Sequence, residues 1–115
     1  MTEQIDSPRD QGKTVAIVSY ITFIGWIIAF ILHNNNRTSL GAFHLRQSAF
    51  LYIIGAALSI LRRISDNGAL GFLLALAGIV LFIFWIMGII RALNSEEKPL
   101  PIIGKTAQDI LSGLK

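Results

Sequence analysis

The chain has 115 residues, of which 53% are hydrophobic and 15% charged, whereas a soluble domain carries roughly 25% charged residues. A water-soluble domain of this length cannot bury so much apolar surface, which indicates a single all-α membrane domain. The absence of cysteine excludes disulfide frameworks, thiolate metal sites and cysteine nucleophiles, and the scattered basic residues behind a net charge of +3 favour lipid headgroups over nucleic acid as the partner.

The N-terminal segment, residues 1–14, is polar and mixed in charge and includes Pro8 and Gly12, which predicts a mobile arm on one side of the membrane. Glu3, Asp6 and Asp10 dilute its positive charge. The apolar run that follows is too long for the core of a cleaved signal peptide, so we expect it to be retained.

Three apolar runs predict three transmembrane helices within a membrane domain of residues 15–92. The first, residues 15–32, is uncharged and long enough to cross the hydrocarbon. The second, residues 44–61, has an uncharged core of only fourteen residues (48–61) and spans only if it recruits the preceding FHLRQ. The third, residues 69–90, is uncharged throughout and gives the strongest signal.

The C-terminal segment, residues 93–115, predicts a linker followed by a short amphipathic helix. Pro99 and Pro101 forbid a continuous helix. Helical spacing then places five apolar residues on one face: Ile103, Ala107, Ile110, Leu111 and Leu114. This helix either lies on the membrane surface or packs on the protein's own loops, and both interpretations stay open.

The stretch AFHLRQSAF (residues 42–50) puts a histidine, an arginine and a glutamine between two long apolar runs. In a helix, His44, Gln47 and Ser48 share a face, while Arg46 is able to extend its guanidinium toward lipid phosphates. We interpret the stretch as the place where the chain re-enters the membrane. A metal or catalytic role for His44 lacks support, because the only other histidine is His33 and every carboxylate lies outside the spans.

Small residues recur at helical spacing in the spans and are candidates for close helix packing, within one chain or between copies. They are Gly55, Ser59, Gly71, Ala75 and Gly78, with Gly88 and Ala92 further along.

Trp26 and Trp85 lie inside their spans, which favours packing or ring-to-polar contacts over a place at the membrane interface. No cofactor or metal site is predicted.

Three spans would place the N-terminus beside the loop of Arg62 and Arg63, and the loop of Arg37 and Arg46 beside the C-terminal tail. Counting Lys and Arg gives four on the first side and six on the second, which favours a cytoplasmic C-terminus.

Three stretches of the chain are distinctive: the run SYITFIGWIIAFILHNNN, an FH-x-RQ element and the tail RALNSEEKPLPIIGK. In these stretches, and over about residues 13–105, the chain resembles small bacterial membrane proteins of unassigned activity that are related to the multi-span import component of the chloroplast inner-envelope translocon. The FH-x-RQ element is Phe43, His44, Arg46 and Gln47, and the resemblance implies a shared role for these four residues. The chloroplast relative has four spans, one more than predicted here.

These observations predict a non-enzymatic membrane subunit, multi-pass in the bacterial inner membrane, that joins a homo-oligomer or a larger complex, one related to protein translocation or insertion. The alternative is a small oligomeric channel or transporter, lined by Ser19, Tyr20, Thr22 or Ser59. A lipid-directed enzyme with His44 as base lacks a nucleophile or metal.

Overall fold

The structure, a computed structural model, describes residues 8–115, with side chains from Gly12 onward. Within this range the chain is all-helical, as its composition predicts, and forms no strand. The helices are α1 (Pro8–Ile21), α2 (Phe23–Asn35), α3 (Ser39–Ile64), α4 (Gly68–Leu93) and α5 (Gly104–Ile110).

The first predicted span, residues 15–32, is not one helix, and that prediction is wrong. The chain breaks at Thr22, whose backbone is extended (φ −152°, ψ 172°) and whose hydroxyl accepts a hydrogen bond from the Gly25 N–H at 2.9 Å. Thr22 therefore caps the start of α2 in the middle of an apolar run. Hydropathy does not detect such a break, because one threonine barely lowers the average of its neighbours.

Helices α1 and α2 form an antiparallel hairpin around this break. Val15 of α1 and Ala29 of α2 belong to one buried cluster, and a Cβ on Gly25 would lie 2.7 Å from the Val18 carbonyl oxygen. A Cβ on Gly12 would lie 2.5 Å from the Thr38 hydroxyl, just beyond the end of α2. The hairpin therefore returns the chain to the end of the molecule from which it started.

The polar arm predicted for residues 1–14 is only partly described. Residues 1–7 lie outside the described residues, whereas α1 already begins at Pro8. Proline suits the first helical position, because the amide hydrogen it lacks would have no partner there. The second half of the predicted arm is thus part of α1.

Helices α3 and α4 are the two described helices that are long and apolar enough to cross a membrane, instead of the three predicted. Helix α3 recruits FHLRQ, as its shortness required, and starts earlier than predicted because the Thr38 hydroxyl accepts from the Gly41 N–H at 2.9 Å. Helix α4 contains the whole predicted third span and is capped by Asn67. Each has 26 residues, about 39 Å at 1.5 Å per residue.

The molecule has a packed end and an open end, and it measures 54 × 27 × 23 Å. At the packed end, which we call the head, helices α1 and α2 and the tail (residues 94–115) cover the N-terminal half of α3 and the C-terminal half of α4. Beyond them, residues 55–80 form the distal hairpin, whose large apolar side chains are mostly exposed.

The start of α1, the loop before α3 and the tail therefore all lie at the head, opposite Arg62 and Arg63. The contact of Gly12 with Thr38 and the bond from Ser39 Oγ to Glu97 Oε2 at 2.9 Å place them there. For the N-terminal segment from Pro8 onward, the predicted grouping with Arg62 and Arg63 is therefore wrong, since it depended on a third span; residues 1–7 lie outside the described residues.

Candidate functional site

The FH-x-RQ element forms the centre of the head. It lies in the first turns of α3, where Phe43, His44 and Gln47 are buried and Arg46 is half-buried. His44, Gln47 and Ser48 share a face, as predicted, but the face points into the protein. The element joins three parts of the chain that are distant in sequence.

His44 bridges α1 and the tail through its two ring nitrogens. Its Nε2 lies 2.7 Å from the Glu96 carbonyl oxygen, which is only an acceptor, so Nε2 carries the hydrogen and donates. Nδ1 is then the acceptor for the Tyr20 hydroxyl, 2.8 Å away. A neutral imidazole in this one tautomer satisfies both bonds.

Gln47 completes the chain of hydrogen bonds. Its Nε2 donates to Tyr20 Oη at 2.9 Å, and its Oε1 accepts from the Leu100 N–H at 3.0 Å. The bonds run from Gln47 through Tyr20 and His44 to the Glu96 carbonyl, and each donor has one acceptor. The Leu100 N–H of the tail closes the network by donating to Gln47. Because Tyr20, His44, Gln47 and Leu100 are each no more than 2% exposed, a missing partner would leave a buried polar group unpaired.

Arg46 holds the end of the tail instead of extending toward phosphates, so that part of the interpretation is wrong. Its Nε donates to the Leu114 carbonyl at 2.7 Å and its Nη1 to Gln108 Oε1 at 3.1 Å. Gln108 Nε2 in turn donates to the Phe43 carbonyl at 2.9 Å. Helix α5 is therefore docked on α3 by both sides of the Gln108 amide.

The structure answers the question left open for the amphipathic tail: it packs on the protein's own helices. Gly104 and Ala107 are buried, Ile103, Leu111 and Leu114 half-buried, and Ile110 is exposed. Helix α5 is shorter than the predicted face and ends at Ile110, and turns follow it.

The linker between α4 and α5 is fixed at several points. Arg91 Nη1 donates to the Lys98 and Pro99 carbonyls at 3.0 and 2.6 Å. The Lys98 ammonium lies 2.9 Å from Glu96 Oε2 and, by hydrogen bonding to it, holds the pKa of that carboxyl below its usual range. The prolines thus shape a docked strap rather than a free linker.

Three aromatic residues with polar groups strengthen the head, and composition alone did not reveal their partners. Trp85 Nε1 donates to the Tyr20 carbonyl at 2.5 Å, Trp26 Nε1 to the Leu45 carbonyl at 2.9 Å, and the Tyr52 hydroxyl to the Ser19 carbonyl at 2.8 Å. The Trp85 and Tyr52 bonds fall at the end of α1, where the break at Thr22 leaves carbonyls without helical partners. The position of Trp26 and Trp85 inside apolar runs was the sequence feature that predicted ring-to-polar contacts, and these contacts are present.

The small residues named for helix packing differ in what surrounds them. A Cβ on Gly55 would lie 3.5 Å from Leu81, whereas Gly71 and Gly78 have nothing within 4 Å among the described atoms. Ser59 and Ala75 are exposed. The closest approach is instead at Gly88, where a Cβ would lie 2.6 Å from the Tyr20 ring.

His33 lies apart from this network. It is fully buried, and neither ring nitrogen has a hydrogen-bond partner among the described atoms. Within the described part of the chain, no group of three His, Cys, Asp or Glu side chains is placed to hold a metal ion.

Comparisons with protein-family models, with curated proteins and with solved structures found no match to this chain.

Proposed function

We propose that the chain is a non-enzymatic, multi-pass protein of the bacterial inner membrane. Helices α3 and α4 cross the bilayer, and the α1–α2 hairpin enters from the head side and returns. The support is the exposed apolar surface of the distal hairpin. Of the most apolar 18-residue stretch of α4, only 6% is buried within the protein. Such a surface needs a lipid environment.

The head lies on the cytoplasmic side in this proposal. Basic residues near the span ends are more numerous at the head than at the opposite end, where Arg62 and Arg63 stand alone. Those at the head include Lys13, Arg37, Arg46, Arg91, Lys98 and Lys105. Positive charge in short flanking segments marks the cytoplasmic side.

The protein acts as a subunit or accessory factor that docks through its head on a larger membrane complex. The observation that carries this proposal is Ile102. It is 89% exposed and has φ 70°, a backbone conformation that a β-branched residue rarely adopts. Strained backbone clusters at functional sites, and the contacts of Arg91 hold this strap against the protein, so the exposed side chain of Ile102 supports a contact with another protein.

The uses of the FH-x-RQ side chains support a role without catalysis. His44 and Gln47 bind the tail and Tyr20, and Arg46 binds the end of the tail. These polar groups are therefore committed to building the head. The resemblance to import-related proteins then suggests a partner that moves or inserts proteins.

The channel alternative receives less support. Ser19 and Tyr20 are buried and hydrogen-bonded in the head, and Thr22 caps α2. Of the predicted lining residues, only Ser59 is exposed on a spanning helix. An oligomeric pore built on Ser59 alone would have a mostly apolar wall.

Photocrosslinking in native membranes tests the docking proposal. A photoreactive amino acid replaces Ile102 in one variant and Phe72, an apolar residue 65% exposed on the distal hairpin, in the matched control. Phe43 and Gln47 are unsuitable positions, because their burial would report only contacts within the chain.

We expect the Ile102 variant to give a discrete protein adduct, identified by mass spectrometry as a membrane translocase, insertase or exported precursor, and the Phe72 variant to give mainly lipid adducts. Lipid adducts alone from both positions would contradict docking through the head.

A further inference from the structure

A groove between α3 and α4 runs along the distal hairpin and ends where the head begins. Two adjoining cavities of about 510 and 420 Å³ lie along it. Both are lined by Gly55, Ser59, Gly78, Leu81 and Phe82. Because these shared residues include two glycines and a serine, the two helices leave open space where larger side chains would have filled it.

The two ends of the groove differ in chemistry. Towards the head, the groove ends at Leu51, Tyr52 and Trp85, and its wall is apolar or aromatic. At the far end, the lining includes Arg62, whose side chain is exposed. Among the described residues that line the two cavities none is acidic, so the guanidinium can bind an anion.

The length of the groove matches one leaflet of a bilayer. From Leu51 to Arg62 the axis of α3 rises by eleven residues, about 16 Å. Half of a hydrocarbon core roughly 30 Å thick is about 15 Å. A chain that entered beside Arg62 would therefore reach the wall at Trp85 near the middle of the bilayer.

We propose that this groove binds an anionic phospholipid from the leaflet opposite the head, with an acyl chain between α3 and α4 and the phosphate against Arg62. The cation at the groove mouth fits the phosphate, and the uncharged walls fit the chain. A second copy of this protein fits less well, because an apolar helix of the partner would leave Arg62 without a countercharge at its contact. The inference rests on the membrane location proposed above.

The test uses purified protein in nanodiscs of phosphatidylcholine that contain a small fraction of phosphatidylglycerol with a photoreactive group midway along its acyl chain. We expect adducts to map to residues 51–62 and 74–85. Arg62→Gln should lower their yield about fivefold, as removal of one basic contact to an anionic lipid does. Arg63→Gln removes the same charge from a residue outside the groove lining and should leave the yield unchanged.

A second variant pair tests the groove itself. Gly78→Leu should fill the groove and abolish these adducts, while Gly71→Leu, at a glycine that has open space but does not line the groove, should not. A cysteine at position 100 reports folding, because Leu100 is buried in the head. Slow thiol labelling of Leu100→Cys verifies that each variant is folded.

Three results would overturn the proposal: equal labelling over all exposed residues, equal losses in Arg62→Gln and Arg63→Gln, or labelling by photoreactive phosphatidylcholine with the same yield. Disulfide crosslinking of Ser59→Cys between copies without groove labelling would assign the groove to a dimer instead. Failure to enter nanodiscs would refute the membrane location itself, and this outcome is distinct from the loss of lipid binding at the groove.

Discussion

Replacement of Gln47 by methionine tests whether the buried network docks the tail on α3. Methionine has a similar volume and fills the same space, but it removes the acceptor that Gln47 Oε1 offers to the Leu100 N–H. In the docked state that N–H then has no partner. When the tail is released, water satisfies it.

The cost of the substitution follows from this difference. An unpaired buried N–H costs about 1–3 kcal/mol. The substitution also removes the bond from Gln47 to Tyr20, but that bond joins α1 to α3, so its loss affects the docked and released states of the tail alike. Docking should therefore weaken by about 2 kcal/mol, which raises the released fraction roughly 30-fold.

Thiol labelling measures the released fraction directly. The chain has no cysteine, so Leu100→Cys provides a single reporter at a position that is 2% exposed in the docked tail. When docking and release are fast relative to labelling, the labelling rate is proportional to the released fraction. We expect Gln47→Met to accelerate labelling of this reporter by about 30-fold.

The control is Tyr52→Phe, which removes a hydrogen bond to the Ser19 carbonyl but touches no part of the tail. It should leave the labelling rate within about twofold, since the docked and released states lose the same bond. An unchanged rate in Gln47→Met, or an equal acceleration in Tyr52→Phe, would refute the reasoning.

Two further substitutions probe other contacts of the head. Arg46→Met removes both bonds that hold the end of the tail and should accelerate labelling of a cysteine at Ala107, which is 1% exposed in the docked helix α5, by about tenfold, with little change at Leu100. Gly88→Ala brings a Cβ within 2.6 Å of the Tyr20 ring and should lower the free energy of unfolding by about 1–3 kcal/mol in a detergent denaturation series. Gly71→Ala, with open space at the Cβ position, should not lower it. An unchanged Gly88→Ala protein would contradict the close packing of α1 on α4.

The sequence predicts the two long helices because strong turn formers separate them. The apolar run covers nearly all of α4, whereas α3 extends from its uncharged core (48–61) back to Ser39. Asn67 caps α4, and its side chain accepts from two backbone N–H groups. The failure at residues 15–32 has a physical origin. Thr22 is tolerated inside a membrane helix as readily as it caps a new one, so the hydropathy of the run is the same for one span as for a hairpin.

The candidate site was located in sequence, but its role was not. The spacing of His44, Gln47 and Ser48 predicted a shared polar face, and that face exists. Its partners were beyond sequence reasoning, because Tyr20 and Leu100 lie 27 and 53 residues from Gln47. The sequence predicted one span in place of α1 and α2, and that span would have kept Tyr20 away from the tail.

Because α1 and α2 form a hairpin, the proposed membrane location puts both ends of the described chain and the loop before α3 on one side of the membrane. Single cysteines at Lys13, Asn35, Asp66 and Lys105, labelled in intact cells with a membrane-impermeant maleimide, test it directly. With the α1–α2 hairpin and a cytoplasmic head, we expect only Asp66→Cys to react before lysis and the other three to react only after it. Reaction of Lys13→Cys together with Asp66→Cys, on the side opposite Asn35→Cys, would mean three spans and would rule out the hairpin.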